Sequence, residues 1–151
     1  MSRAENRDES VPKATITTLF IAGFGPIAPD PESSRKLYAG ALGIPFEEES
    51  GGYLHTGKRD GAKHFAVWPL AQAAESCFGT DRWPSDLPAP QAWIEFDVED
   101  IDGATAVLKD RGYRLLVSAR TEPWGQTVSR LLGPEGLLVG ITRTAWMRTK
   151  T

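Results

Sequence analysis

The sequence has 151 residues, 40% of them hydrophobic and 25% charged, the balance of a globular protein rather than a disordered or fibrous chain. Seventeen basic against twenty acidic residues give a net charge of −3, which argues against a nucleic-acid partner bound by phosphate neutralisation. A single cysteine, Cys77, excludes an intrachain disulfide and a cysteine zinc site, and two histidines restrict any histidine-rich metal centre.

Residues 1–14 are polar, mix both charges and lack the apolar run of a signal peptide, so a flexible N-terminus is expected. No stretch is long and apolar enough to cross a membrane, and a cytoplasmic location with no membrane partner is the expectation. A strand from about Leu19 leads to Asp30, then to a helix with Leu37, Ala41 and Leu42 on one face, then to a stop at Gly43. Short alternating runs follow at about Pro45–Glu49, Tyr53–Thr56 and Lys63–Trp68, with turns at Gly51-Gly52 and Asp60-Gly61. A Pro-rich segment around Trp83–Pro90 reads as a linker.

The same grammar then returns. A strand from Ala92 leads to Asp100, a helix carrying Ala104, Val107 and Leu108, and Gly112. Runs at about Arg114–Ala119, Gln126–Leu132 and Leu137–Thr142 follow, the last two joined by the turn Pro134-Glu135-Gly136. The expectation is an α+β fold with tandem βαβββ modules, at about 15–72 and 91–147, forming one domain over 15–147. Neither module would bury its apolar face alone, so the two should share a curved mixed sheet with helices on its outer face.

The order Asp30, Leu37-Tyr38, Leu42-Gly43 resembles the vicinal oxygen chelate superfamily of glyoxalases, bleomycin-resistance proteins and dioxygenases. Phe96–Ala104 (FDVEDIDGA), Pro123–Gln126 (PWGQ) and Gly133–Ile141 (GPEGLLVGI) carry the same resemblance. It implies a cup-shaped sheet around a ligand cavity, usually within a homodimer. It also implies that enzymes of this kind hold a divalent metal on the first and last strands of each module. The first-strand ligand positions fall here on Gly23 and Trp93, and the last-strand position of the second module on Gly140; none offers a side-chain donor. On the last strand of the first module, parity turns His64, Ala66 and Trp68 toward the cavity and Phe65 and Val67 away from it. His64 is then the single candidate ligand, and no metal or cofactor is expected.

Parity also places Trp93, Glu95 and Asp97 on the cavity face, opposite His64 and Trp68, with Gly23, Gly25 and Gly140 leaving room for a ligand. Two indoles, two carboxylates and an imidazole suit a small aromatic and cationic molecule, bound rather than transformed, as in the bleomycin-resistance branch and its antibiotic resistance. A lyase, isomerase or dioxygenase of the same superfamily using His64 or Glu95, either metal-dependent with a displaced site or metal-independent with one of them as a base, is the alternative. Trp124 reads as a packing residue at a strand corner, and Trp83 as either a cap on the cavity mouth or a dimer contact. The facing of Arg130 and His55 is left open; an inward Arg130 would neutralise a carboxylate and weaken the cationic-ligand reading.

Overall fold

The computed structural model describes residues 15–58 and 60–148; the flexible N-terminus expected over 1–14 lies outside them. The described residues form eight strands, β1 (Thr18–Ala28), β2 (Glu47–Glu49), β3 (Tyr53–Thr56), β4 (Phe65–Pro69), β5 (Ala92–Val98), β6 (Val117–Thr121), β7 (Thr127–Leu132) and β8 (Leu138–Arg143). Most come from alternating or β-branched runs, while β2 is an exposed run of three glutamates. They make one mixed sheet in the order β2-β3-β4-β1-β5-β8-β7-β6. Within each half the first and last strands are parallel neighbours, β1 with β4 and β5 with β8. The halves join where β1 and β5 run antiparallel, Phe24 opposite Ile94. The expected tandem βαβββ architecture is therefore present.

The helices depart from expectation in two ways. Helix α1 (Pro31–Arg35) continues into a wider π-type turn over Lys36–Ala41, closed by Leu42 N–H donating to the Leu37 carbonyl. The wider winding breaks the expected apolar stripe, and Leu37 and Leu42 stay exposed. Tyr38 does pack on the sheet, against the buried cluster of Ala28, Leu54 and Val67. In the second half α3 (Ile101–Asp110) behaves as read: Asp100 caps it by accepting from Gly103 N–H at 3.0 Å, and Ile101 and Ala104 pack on Val98 and Ile141 of the outer sheet face.

The larger correction is α2 (Leu70–Phe78), an element hidden in what reads as the approach to a linker. Its Ala73 and Cys77 pack on Ala66, Trp93, Val128 and Leu138, residues of the inner face. One helix thus lies inside the cup rather than outside it. Trp83 packs edge-on against Phe78 (centroids 4.9 Å apart) and joins this inner core. It does not line the cavity mouth.

A bulge sets the facing of β6. Val117 pairs with Arg130, while Arg120 pairs with Val128, so one extra residue sits between them. Ala119 absorbs it with φ 46°, its N–H donating to Ser129 Oγ at 2.7 Å. The inward parity jumps as a result, from Val117 to Arg120 and Glu122.

Candidate functional site

Between the inner sheet face and α2 lies a cavity of about 760 Å³, within the range of small-molecule sites. Its first-module wall is aromatic. Tyr53 and His55, alternate residues of β3, face inward beside His64, and the Tyr53 hydroxyl and His64 Nε2 share a hydrogen bond at 2.9 Å. The imidazoles of His55 and His64 stack with centroids 5.6 Å apart, and His55 Nε2 meets Glu49 Oε2 at 3.0 Å. Trp68 meets Trp93 edge-on at 5.9 Å. Burial, with a smaller contribution from His55, lowers the His64 pKa below its ordinary value and favours the neutral ring. Burial, together with the Glu95 and Glu49 charges, pushes the Tyr53 phenol up and keeps it protonated.

The second-module wall is a balanced charge network. Arg130 is 2% exposed and faces inward. It donates to Glu122 Oε2 at 3.1 Å, Ser76 Oγ at 2.7 Å and Glu95 Oε2 at 3.4 Å, and its guanidinium lies 5.1 Å from the centre of the Trp68 ring. Arg120 also donates to Glu122 Oε2, at 3.0 Å, and to the Ser76 carbonyl, tying this wall to α2. Burial raises the Glu122 carboxyl, but hydrogen bonds from both arginines outweigh it and hold the pKa below the usual value. Glu95 Oε1 accepts from Gln126 Nε2 at 2.9 Å, so both its oxygens are engaged.

The family described as Glyoxalase/Bleomycin resistance protein/Dioxygenase superfamily matches residues 24–141. The chain belongs to the glyoxalase/bleomycin resistance protein/dioxygenase superfamily. A comparison with curated proteins returned no match. Among solved structures, a superfamily member from Vibrio splendidus 12B01 is similar at TM-score 0.53 and 14% identity, over 85% of this chain and 99% of that one. A methylmalonyl-CoA epimerase in complex with methylmalonyl-CoA and NH4+ is similar at 0.50 and 17%, over 85% and 96%. A protein described as NAD-dependent benzaldehyde dehydrogenase from Legionella pneumophila is similar at 0.52 and 13%, over 80% and 96%. At these identities the likeness concerns the fold alone.

The donors at the superfamily's metal positions do not fit a metal ion. A Cβ built on Gly23 would stand 2.9 Å from the Trp93 indole and 3.3 Å from His64. One built on Gly140 would stand 2.8 Å from Glu95 Cγ. The room left by these glycines is therefore occupied by Trp93 and Glu95 instead of being open to a ligand, which corrects the sequence reading. The Trp93 indole N–H is spent on the Ala66 carbonyl at 3.1 Å, and an indole offers no lone pair to a metal. Gly25 is placed differently again, because its missing side chain would collide with the Ala66 backbone. Among the described residues no group of three or more His, Cys, Asp and Glu is arranged to hold a metal ion.

His64, Trp68, Trp93 and Glu95 line the cavity; Gly23 and Gly140 do not. Asp97 is also misplaced by the sequence reading. It shares the strand face of Glu95 but is fully buried, accepting from Thr142 Oγ1, Thr144 N–H and Arg148 Nε. With Asp97 sealed and Glu95 facing Arg130, the two carboxylates read as a cation site are already matched. Trp124 is corrected in the other direction, since it is 55% exposed and lines the cavity. Sequence reasoning passed over Tyr53, Glu122, Gln126 and Trp146. Tyr53 was within reach, because it shares parity with His55 on a run already marked as a strand.

Proposed function

We propose that this protein binds a planar aromatic small molecule in the cavity without a metal ion, sequestering a natural product of antibiotic type rather than transforming it. The observation that carries the reading is the continuous aromatic wall of Tyr53, His55, His64, Trp68 and Trp93 on one side of the cavity, facing a wall in which Arg130 is paired with Glu95 and Glu122. Such a wall stacks on planar rings.

Titration of tryptophan fluorescence with a panel of polycyclic aromatic antibiotics, before and after dialysis against a chelator, tests this reading. Saturable quenching that survives chelation, weakens about tenfold or more in Trp68→Ala and leaves the compound chemically intact supports it. Binding lost on chelation and regained with a divalent metal sinks it.

The hydrogen bond between Tyr53 and a neutral His64 inside the cavity favours one further reading, a metal-independent enzyme with His64 as general base. Turnover of a bound compound, abolished in His64→Ala while binding persists, would decide for it.

A further inference from the structure

We propose that Trp124 and Trp146 form a second aromatic subsite at the cavity mouth, making this a site for an elongated molecule with two ring systems joined by a polar link. The inference rests on the reading of the inner cavity as an aromatic-binding site and adds the second half of the ligand. Both indoles line the cavity and remain largely exposed, Trp124 at 55% and Trp146 at 53%.

What distinguishes them from stray surface tryptophans is how they are held. Trp124 occupies the Pro123-Trp124-Gly125 turn, where φ 97° at Gly125 closes the loop back onto Gln126. Its Nε1–H donates to Gln126 Oε1 at 3.0 Å. Gln126 is buried, and its Nε2 donates to Glu95 Oε1 at 2.9 Å and Thr144 Oγ1 at 3.1 Å. A flipped amide would set Nε2 against the indole N–H and Oε1 against the carboxylate, so the network fixes one orientation.

Trp146 rides on the short turn Ala145–Met147. Asp97 clamps that turn from both ends, accepting from Thr144 N–H at 2.6 Å through Oδ1 and from Arg148 Nε at 2.6 Å through Oδ2. Arg148 also donates to the Val98 carbonyl. The two buried carboxylates of β5 are thus positioning residues, Glu95 acting through Gln126 on Trp124 and Asp97 through the clamped turn on Trp146. The Trp124 ring is thus held, and the backbone that carries Trp146 is set, before the ligand arrives, so less freedom is lost on binding, which is when an exposed indole is worth most.

The class of ligand follows from the order of groups. Arg130 touches Trp68 of the inner wall and Glu95, and Glu95 leads through Gln126 to Trp124. A polar floor therefore separates two aromatic subsites, which matches two ring systems with a hydrogen-bonding link.

The test titrates 9-aminoacridine and a set of bis-acridines with polar linkers of graded length, following acridine fluorescence. The readout is the ratio of affinities, best bis-acridine over 9-aminoacridine, in the folded protein as judged by its thermal transition. The expected ratio is about tenfold in the native sequence, falling to the statistical twofold in Trp124→Ala and Trp146→Ala and retained in Trp124→Phe. Arg148→Ala, which opens the Asp97 clamp, lowers the ratio as well. Trp68→Ala weakens both probes together. Where an alanine variant fails to fold, the leucine variant removes the ring and keeps the bulk. A ratio unmoved by Trp124 and Trp146 substitutions, with both probes weakened by Trp68→Ala, overturns the second subsite and leaves the inner site standing. Probes unmoved by Trp68→Ala and Tyr53→Ala overturn both.

Discussion

Arg130 and Glu95 meet across Gly140. Three neighbouring strands place Glu95, Gly140 and Arg130 in one line of register, and the missing side chain at the centre lets the outer two approach to 3.4 Å. An internal ion pair therefore crosses Gly140, the position that the sequence resemblance marks for a last-strand metal ligand. Arg130 is also the only buried cation among the described residues that serves both Glu95 and Glu122. Arg130→Met should leave two buried carboxylates without it and cost about 3–5 kcal/mol, read from urea unfolding at neutral pH. A loss under about 1 kcal/mol would show that the network contributes little.

Gly140 and Gly25 should respond to alanine in a defined order. At Gly140 the added methyl meets Glu95 Cγ at 2.8 Å, and a side chain can move aside, so a loss of about 1–3 kcal/mol is expected. At Gly25 the obstacle is the Ala66 carbonyl, backbone of the adjacent strand β4 in the middle of the sheet. Gly25→Ala should therefore be the worse of the pair, and urea midpoints for the two variants rank them.

Ala119 holds φ 46°, a conformation that costs an L-residue about 1–2 kcal/mol and glycine almost nothing. Against this stands the greater chain entropy that glycine loses on folding, about 0.5–1 kcal/mol. Ala119→Gly should come out stabilising by about 0.5–1 kcal/mol, and Ala119→Val, with a branched Cβ, should be destabilising. Thermal unfolding of the pair checks the sign.

The parts of this site legible in the sequence are those governed by period-two alternation on a regular strand. Trp68 on β4 with His64 immediately before that strand, and Trp93 and Glu95 on β5, line the cavity as parity requires. The bulge at Ala119 defeats the same rule on β6, because one inserted residue turns Arg120 and Glu122 inward. Asp97 obeys parity yet misses the cavity, since Thr144 and Arg148 reach it from more than forty positions away in the chain. Helix α2 escaped notice because it is only nine residues long, follows Pro69 directly and runs into a Pro-rich segment. Its inward placement is a tertiary outcome, fixed by Ala73 and Cys77 being small enough to lie against Trp93 and Ala66.

The acid limb of stability should carry the signature of His64. Burial lowers its pKa in the folded protein from the ordinary 6.5, His55 adds to the effect, and Glu49 opposes it. Below about pH 6.5 the unfolded chain takes up a proton that the folded chain resists, so the unfolded state is favoured by acid. The stabilisation from a neutral His64 is therefore complete above the unfolded value and is lost as pH falls through the folded one. Protonation also removes the lone pair with which Nε2 can accept the Tyr53 hydroxyl hydrogen, forcing that bond to reverse or break. His64→Gln keeps a hydrogen-bonding group beside Tyr53 and cannot titrate. Unfolding free energies from about pH 7.5 to 5 should fall more steeply for the native sequence than for His64→Gln. Parallel curves would mean that His64 is solvated in the folded state and that the aromatic wall is more open than its packing indicates.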